Sequence, residues 1–203
     1  ERRPSIEGGV VRLRRVLRSV VHGRRDPTAH DDHLSAEGAR REVLARGRNQ
    51  QSDCADAPGL VRHHTLAHAE LNALIACRRY DRDGTQALYT LLEPCPLCLG
   101  AFYMSGIREL HFAARDPVGG SSDLLGATPY LARKPIRLHR PADPTLEWLA
   151  TALQAEHAYQ VRGAQARSFV DCSRATLGRG VELGEALFRS GELAALRDAG
   201  ADA

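Results

Sequence analysis

Two motifs decide how this chain is read: His68-Ala69-Glu70 and Pro94-Cys95-Pro96-Leu97-Cys98. They supply one imidazole and two thiolates, and Cys95 follows His68 by 27 positions. Three protein ligands of this Cys₂His kind leave a tetrahedral zinc ion with one open position, which is typical of a catalytic site. Glu70 is a carboxylate that could move protons at that position. The motifs therefore predict one catalytic zinc per chain, held by His68, Cys95 and Cys98, with Glu70 as the acid–base group.

Both motifs fall where the sequence pattern places the start of a helix. Leu71, Leu74 and Ile75 recur at helical spacing and predict a helix over 68–80, and the prolines at 94 and 96 predict a second helix over 97–105. Helix N-termini present free N–H groups and a partial positive charge, which lower the pKa of a thiol. We expect backbone N–H groups near Ala69 and Cys95 to stabilise the negative charge that develops on a bound substrate. Ala69 is therefore a candidate substrate-binding residue.

The same residues allow other interpretations. A lone Cys-x-x-Cys could be a redox pair or half of a structural zinc site. His63 or His64 could then supply a fourth ligand, since His64 and His68 are four residues apart. The other histidines, including His111 and His139, show no ligand spacing and are expected to have no catalytic role.

Helix and strand patterns alternate along the chain. Helices are predicted over 10–21, 145–161 and 181–199, and strands over 42–46, 86–92, 109–114 and 136–139. This order favours an α/β sandwich with one central sheet. We divide the chain into an N-terminal helix with an irregular segment (1–41), a core (42–143) and a C-terminal helical extension (144–203).

The composition of the chain indicates which partners it can bind and which cellular compartment suits it. Residues 1–50 hold 12 Arg against 7 acidic residues, whereas the whole chain of 203 residues has a net charge of only +3. A protein whose main role is to bind phosphate backbones carries a basic surface over its whole fold, whereas the excess of Arg here lies in the N-terminal segment. Five cysteines are not a disulfide framework, which favours a reducing cytoplasm. No apolar run approaches the ~20 residues that span a bilayer, so we expect no membrane partner.

The two motifs resemble the H-x-E…P-C-x-x-C signature of the zinc-dependent cytidine deaminase superfamily. The resemblance covers roughly residues 42–140. It implies a three-layer α/β/α sandwich with a central mixed sheet of about five strands. It also implies that His68, Cys95 and Cys98 are the zinc ligands and that Glu70 is the general acid/base. The run Arg46-Gly47-Arg48-Asn49 resembles the strand-end motif whose Asn contacts the substrate base, so Asn49 is a candidate substrate-binding residue.

Different motifs of this chain resemble different members of the superfamily. The run from Pro94 to Tyr103 is similar to bacterial guanine deaminases, and Ala113–Pro117 with Gly119, Gly120 and Ser121 resembles a turn of tRNA adenosine deaminases. The resemblance implies hydrolytic removal of an exocyclic amine from a nucleobase or nucleoside, with a purine favoured. A tRNA or single-stranded nucleic-acid deaminase is the first alternative, although only 5% of residues are aromatic. An inactive zinc-binding partner subunit is the second, and the intact Glu70 weighs against it.

The resemblance leaves two further expectations. Family analogy alone suggests a homodimer. Residues 24–41 lack the Pro-aromatic-Gly-Ala start of the family's first strand, so that strand is expected to have an unusual sequence or to be degraded.

Overall fold

Five strands form a single sheet in the computed structural model, which describes residues 18–23, 42–51, 61–77 and 85–199. The strands are β1 (Arg18–Gly23), β2 (Glu42–Arg48), β3 (Ala87–Leu92), β4 (Glu109–Ala114) and β5 (Arg137–His139). Their order across the sheet is β2-β1-β3-β4-β5. β1 is antiparallel to both β2 and β3, whereas β3, β4 and β5 run parallel. The predicted α/β class is confirmed.

The N-terminal prediction is wrong in the part that the structure describes. Residues 18–21 were expected in a helix over 10–21, but Arg18–Gly23 is a strand. It pairs with β2 on one side and with β3 on the other, so backbone hydrogen bonds on both edges favour the extended form. Val20 and Val21 are β-branched and suit a strand. The rest of that helix, together with the segment over 24–41, lies outside the described residues.

Two helices cover one face of the sheet beside the two motifs. They are α1 (Ala69–Cys77) and α2 (Pro96–Met104). Leu88 of β3 and Leu110 of β4 form one buried cluster with residues of both helices, among them Ala73 and Phe102. The predicted helices over 68–80 and 97–105 are confirmed within the described residues, as are the four predicted strands, with boundaries shifted by one or two residues.

The C-terminal part is helical, as predicted, but it divides differently. The helices are α3 (Pro144–Arg162), α4 (Arg167–Ser190) and α5 (Glu192–Ala199). The predicted helix over 181–199 is therefore wrong in its bounds: its start falls in the second half of α4, after a kink at Leu177, and Gly191, with φ of 70°, ends α4. Glycines lower helix propensity in this stretch. Two of them, Gly180 and Gly184, instead allow α4 to approach Thr151 and Ala152 of α3.

The C-terminal helices are tied to the sheet. The Arg115 side chain, just after β4, donates to both carboxylate oxygens of Glu147 in α3, at 2.7 and 3.2 Å. Asp143 caps α3 by accepting a hydrogen bond from the Thr145 N–H at 2.8 Å. Among the described residues, no helix is both long and apolar enough to cross a membrane.

Candidate active site

The three predicted metal ligands meet at the starts of α1 and α2. His68 directly precedes α1, Cys95 is the residue before α2, and Cys98 lies in the first turn of α2. One ligand atom from each lies within 4.8 Å of the other two, and His68 Nδ1 is 3.6 Å from Cys95 Sγ. Tetrahedral zinc with Zn–N and Zn–S bonds of ordinary length holds such a pair about 3.5 Å apart. The donor set therefore fits a zinc ion.

The two cysteines differ in their affinity for protons. The pKa of Cys95 is lowered to about 5, first by its hydrogen bond with the Cys98 thiol, with help from N–H groups at the start of α2 and from His68. The pKa of Cys98 is raised, first because it donates to Cys95 and then because it is buried. Zinc needs both sulfurs as thiolates, so its binding is expected to release the Cys98 proton.

Glu70 lies beside the triad in the first turn of α1. Its Oε2 atom accepts from Cys98 Sγ at 3.5 Å, and its oxygens do not belong to the converging ligand set. Burial raises the pKa of this carboxyl group, which is the largest influence on it. A carboxyl group with a raised pKa next to a metal site is suited to taking up and returning a proton.

The alternative four-ligand site gains no support from His63 and His64. Both side chains are exposed, and His64 Nδ1 accepts a hydrogen bond from the Leu66 N–H at 3.1 Å. Within the described residues, the converging group at the triad consists of His68, Cys95 and Cys98.

Asn49 and Ala69 have less direct links to the triad. Asn49 follows β2 and is exposed; its Oδ1 accepts from the Gln51 N–H at 3.1 Å and its Nδ2 donates to Gln51 Oε1 at 3.1 Å. This geometry closes a turn, as Asn commonly does. Ala69 is the first residue of α1, where N–H groups lack an intrahelical acceptor. Substrate contact by either residue stays a prediction.

Asn72, a fully buried residue of α1, is a site residue that the sequence did not predict. Its Oδ1 accepts from the Val61 N–H at 2.9 Å, while its Nδ2 donates to the Val61 carbonyl at 2.9 Å and to the Arg48 carbonyl at 3.2 Å. Nδ2 also lies 3.3 Å from Gln50 Oε1. Asn72 therefore fixes two loop segments against α1, including the end of β2 from which Asn49 projects. The available signal was a polar residue inside an otherwise apolar helix.

Glu93, directly before the cysteine motif, was also missed. Its carboxylate accepts from the Ser122 N–H at 3.1 Å and from the Asp116 N–H at 3.3 Å. The next carbonyl, that of Pro94, accepts from Ser121 Oγ at 2.7 Å and from the Ser121 N–H at 3.1 Å. These bonds hold the turn after β4 against the start of α2. A Cβ atom at Gly120 would lie 2.5 Å from the backbone carbonyl oxygen of Asp116 and 2.6 Å from the Glu93 carboxyl group, which explains a glycine there.

Comparison with known proteins decides which family carries these motifs. Residues 36–114 match the model of the cytidine and deoxycytidylate deaminase zinc-binding region. Residues 36–114 belong to this family. This deaminase-family region contains the whole His/Cys/Cys triad, so the predicted zinc cofactor is confirmed.

Relatives of the deaminase-family region act on different substrates. The chain is 34% identical to the tRNA-specific adenosine deaminase of Bacillus subtilis over 88 residues, which are 41% of this chain and 49% of that protein. It is 36% identical to the guanine deaminase of the same organism over 76 residues, which are 36% of this chain and 43% of that protein. The matches thus span about half the length of these relatives, or less.

A solved structure of a guanine deaminase from Nitrosomonas europaea is also similar. It is 26% identical, with a TM-score of 0.47, and the similarity covers 74% of this chain and 81% of that one.

Proposed function

We propose that this chain is a zinc-dependent hydrolytic deaminase that releases ammonia from the exocyclic amine of a nucleobase or nucleoside, with a purine favoured. The observation that carries the proposal is the position of Glu70, 3.5 Å from a sulfur of the triad but outside the converging ligand set. A structural zinc site has no use for such a carboxyl group, whereas hydrolysis at an amidine carbon needs one.

The zinc ligands and Glu70 have different roles in the proposed reaction. His68, Cys95 and Cys98 would hold the zinc ion, which would supply Lewis-acid activation of a water molecule. The Glu70 carboxylate accepts a proton from the attacking water and donates it to the ring nitrogen of the substrate. The same oxygen then passes the second water proton to the departing amine, so that one water and one amine become a carbonyl and ammonia. Burial of Glu70 supports this role because it raises the pKa of the carboxyl group.

Substrate binding is assigned to the end of β2 and the start of α1. The Asn49 amide can donate to and accept from a base edge without charge, and it is exposed beside a segment that Asn72 fixes. To bind a base, Asn49 would exchange its two contacts with Gln51. The N–H of Ala69 lies in the first turn of α1 and is available for developing negative charge. A homodimer is part of this proposal by family analogy alone.

The test is ammonia release across a panel of purine and pyrimidine bases and nucleosides, with Glu70→Gln as the key variant. The variant should keep its zinc and lose about 10²–10⁴-fold or more in kcat, the range for general acid–base catalysis. Glu182→Gln, the same change on an exposed position of α4, is the matched control and should match the wild type. Loss of zinc in Glu70→Gln would make Glu70 a ligand and overturn the mechanism.

A second candidate is a deaminase that acts on tRNA. Two observations favour it: the similarity to a tRNA-specific adenosine deaminase, and the exposed Arg46 and Arg48 on the edge strand that leads to Asn49. Arginines on phosphates make affinity fall steeply with salt. Binding of tRNA that weakens with salt and is reduced in Arg46→Gln, together with inosine formation in that tRNA, would favour this substrate. Turnover of free bases without tRNA binding would exclude it.

A further inference from the structure

Two sheet faces can be distinguished from the packing of β3, β4 and β5. Leu88 and Leu110 are register partners within the cluster that contacts α1 and α2, and Leu138, the partner of Leu110 on β5, packs against the same cluster. Successive side chains of a strand point to opposite faces. The next residue of each strand therefore faces away from the helices that carry the triad.

Three metal-binding side chains come together on that other face. His111 of β4 pairs in register with His139 of β5, and Glu109 precedes His111 by two residues on the same side of β4. Glu109 Oε1 is 2.8 Å from His111 Nε2 and 3.5 Å from His139 Nε2. The three ligand atoms all lie within 4.8 Å of one another.

The surroundings hold this group in place. The Glu109 side chain is only 8% exposed, and its second oxygen accepts from Arg137 Nη2 at 2.9 Å, which leaves Oε1 directed at the two imidazoles. The His111 ring is stacked between Tyr89, with centroids 4.2 Å apart, and His139, with centroids 3.9 Å apart. A carboxylate oriented by an outer hydrogen bond and an imidazole fixed by its neighbours are features of built metal sites.

We propose that Glu109, His111 and His139 form a second metal site, which takes a divalent transition-metal ion of the zinc class. Two imidazoles and one carboxylate are a common ligand set for such ions. Because the two rings are parallel to within 2°, their nitrogen lone pairs do not yet converge. His139, 48% exposed, has room to turn its ring toward the ion. To coordinate the ion through Nε2, each imidazole would carry its single proton on Nδ1.

This site should be weaker than the triad. It has no thiolate ligand, and His139 on β5 must turn its ring to bind. In addition, Arg137 donates to Glu109 Oε2, and its positive charge weakens the attraction of the carboxylate for a cation. We therefore expect the first zinc to fill the triad and a second zinc to bind only at higher free zinc.

The experiment is equilibrium dialysis of the zinc-loaded full chain against rising free zinc, with metal per chain measured. The wild type should take up a second equivalent. His139→Phe keeps a ring for stacking but removes the ligand, and it should weaken the second site at least about tenfold, since even the loss of an outer-shell partner costs about 10–100-fold. His157→Phe, an exposed histidine on α3, is the matched control and should keep the second equivalent.

The thiolate site is separated by a further variant. Cys95→Ser should lose the tightly held zinc and still bind the weaker equivalent with wild-type affinity. Uptake of only one equivalent by the wild type, an undiminished second equivalent in His139→Phe, or loss of both equivalents in Cys95→Ser would each overturn the proposal. If His139→Phe folds poorly by circular dichroism, His139→Ala, which shortens a half-exposed side chain, replaces it.

Discussion

Gly47 is the position at which a single added methyl group should do most damage to the site. A Cβ atom there would lie 2.1 Å from the Ala69 carbonyl oxygen and 2.3 Å from the Ala73 nitrogen. Both are backbone atoms of α1, so no side chain can swing aside to make room. β2 and α1 would have to separate by about 1 Å to reach even a tight contact, and overpacking of this kind costs about 1–3 kcal/mol or more.

The shift would also reach the chemistry, because α1 carries Glu70 and begins directly after His68. A displacement of about 1 Å in a catalytic group can lower the rate about 10²-fold. We therefore expect Gly47→Ala to lower Tm by about 2–12 °C, at about 2–4 °C per kcal/mol for a chain of this size. The folded fraction should also lose about 10²-fold in kcat/KM with whichever substrate the ammonia panel identifies.

Thermal unfolding and steady-state kinetics measure these two effects. Gly100→Ala is the matched control, since a Cβ atom at this exposed position of α2 meets nothing within 4 Å. In a helix interior this control should be neutral or stabilising by about 0.5–1 kcal/mol. Equal Tm and kcat/KM for Gly47→Ala and Gly100→Ala would refute the close approach of β2 to α1.

Three further variants test other parts of the structure. Cys95→Ser should lose the tightly held zinc in metal analysis, whereas Cys172→Ser, at an exposed free thiol, should retain it; equal zinc contents would remove Cys95 from the ligands. Glu147→Gln should cost about 1–2 kcal/mol at pH 7, because hydrogen bonds to charged groups contribute about 1.5–3 kcal/mol and half-exposed Arg115 is screened by solvent. Since Arg115 lowers the pKa of Glu147 in the folded state, this difference is present above the ordinary value of 4.5 and should shrink as pH falls below it; a difference that persists in acid contradicts the pairing. Asn72→Ala should cost about 2–3 kcal/mol in urea unfolding, because it leaves buried partners without hydrogen bonds, and a cost near zero would show that Asn72 does not fix the loops.

The zinc triad could be predicted from the sequence because its chemistry is local. A histidine and a Cys-x-x-Cys pair at the starts of two helices already limit where their ligand atoms can point, and the resemblance to a known signature added the role of Glu70. The strands β3 and β4 could be predicted for a similar reason: β3 is a short, mostly apolar run and β4 begins with alternating polar and apolar residues, and neither pattern needs a partner to be recognised.

Other elements were decided by partners that are distant along the chain. Val20 and Val21 fit a helical pattern and a strand equally well, and only pairing with β2 and β3 selects the strand. The glycines of α4 argue locally against a helix, yet Gly180 and Gly184 are where α4 comes closest to α3. In both cases, packing and hydrogen bonds outweigh the weak local preference.

The sequence by itself thus determined the α/β class and predicted the three zinc ligands and the acid–base residue. Only the tertiary structure placed Asn72 against Arg48 and Val61, and only the parallel register of β4 and β5 brought His139 to His111 and Glu109. Ligands within one short motif are held near one another by the covalent chain. His111 and His139 lie on different strands and meet only because the register of β4 and β5 aligns them, a register that is set by the packing of the whole core.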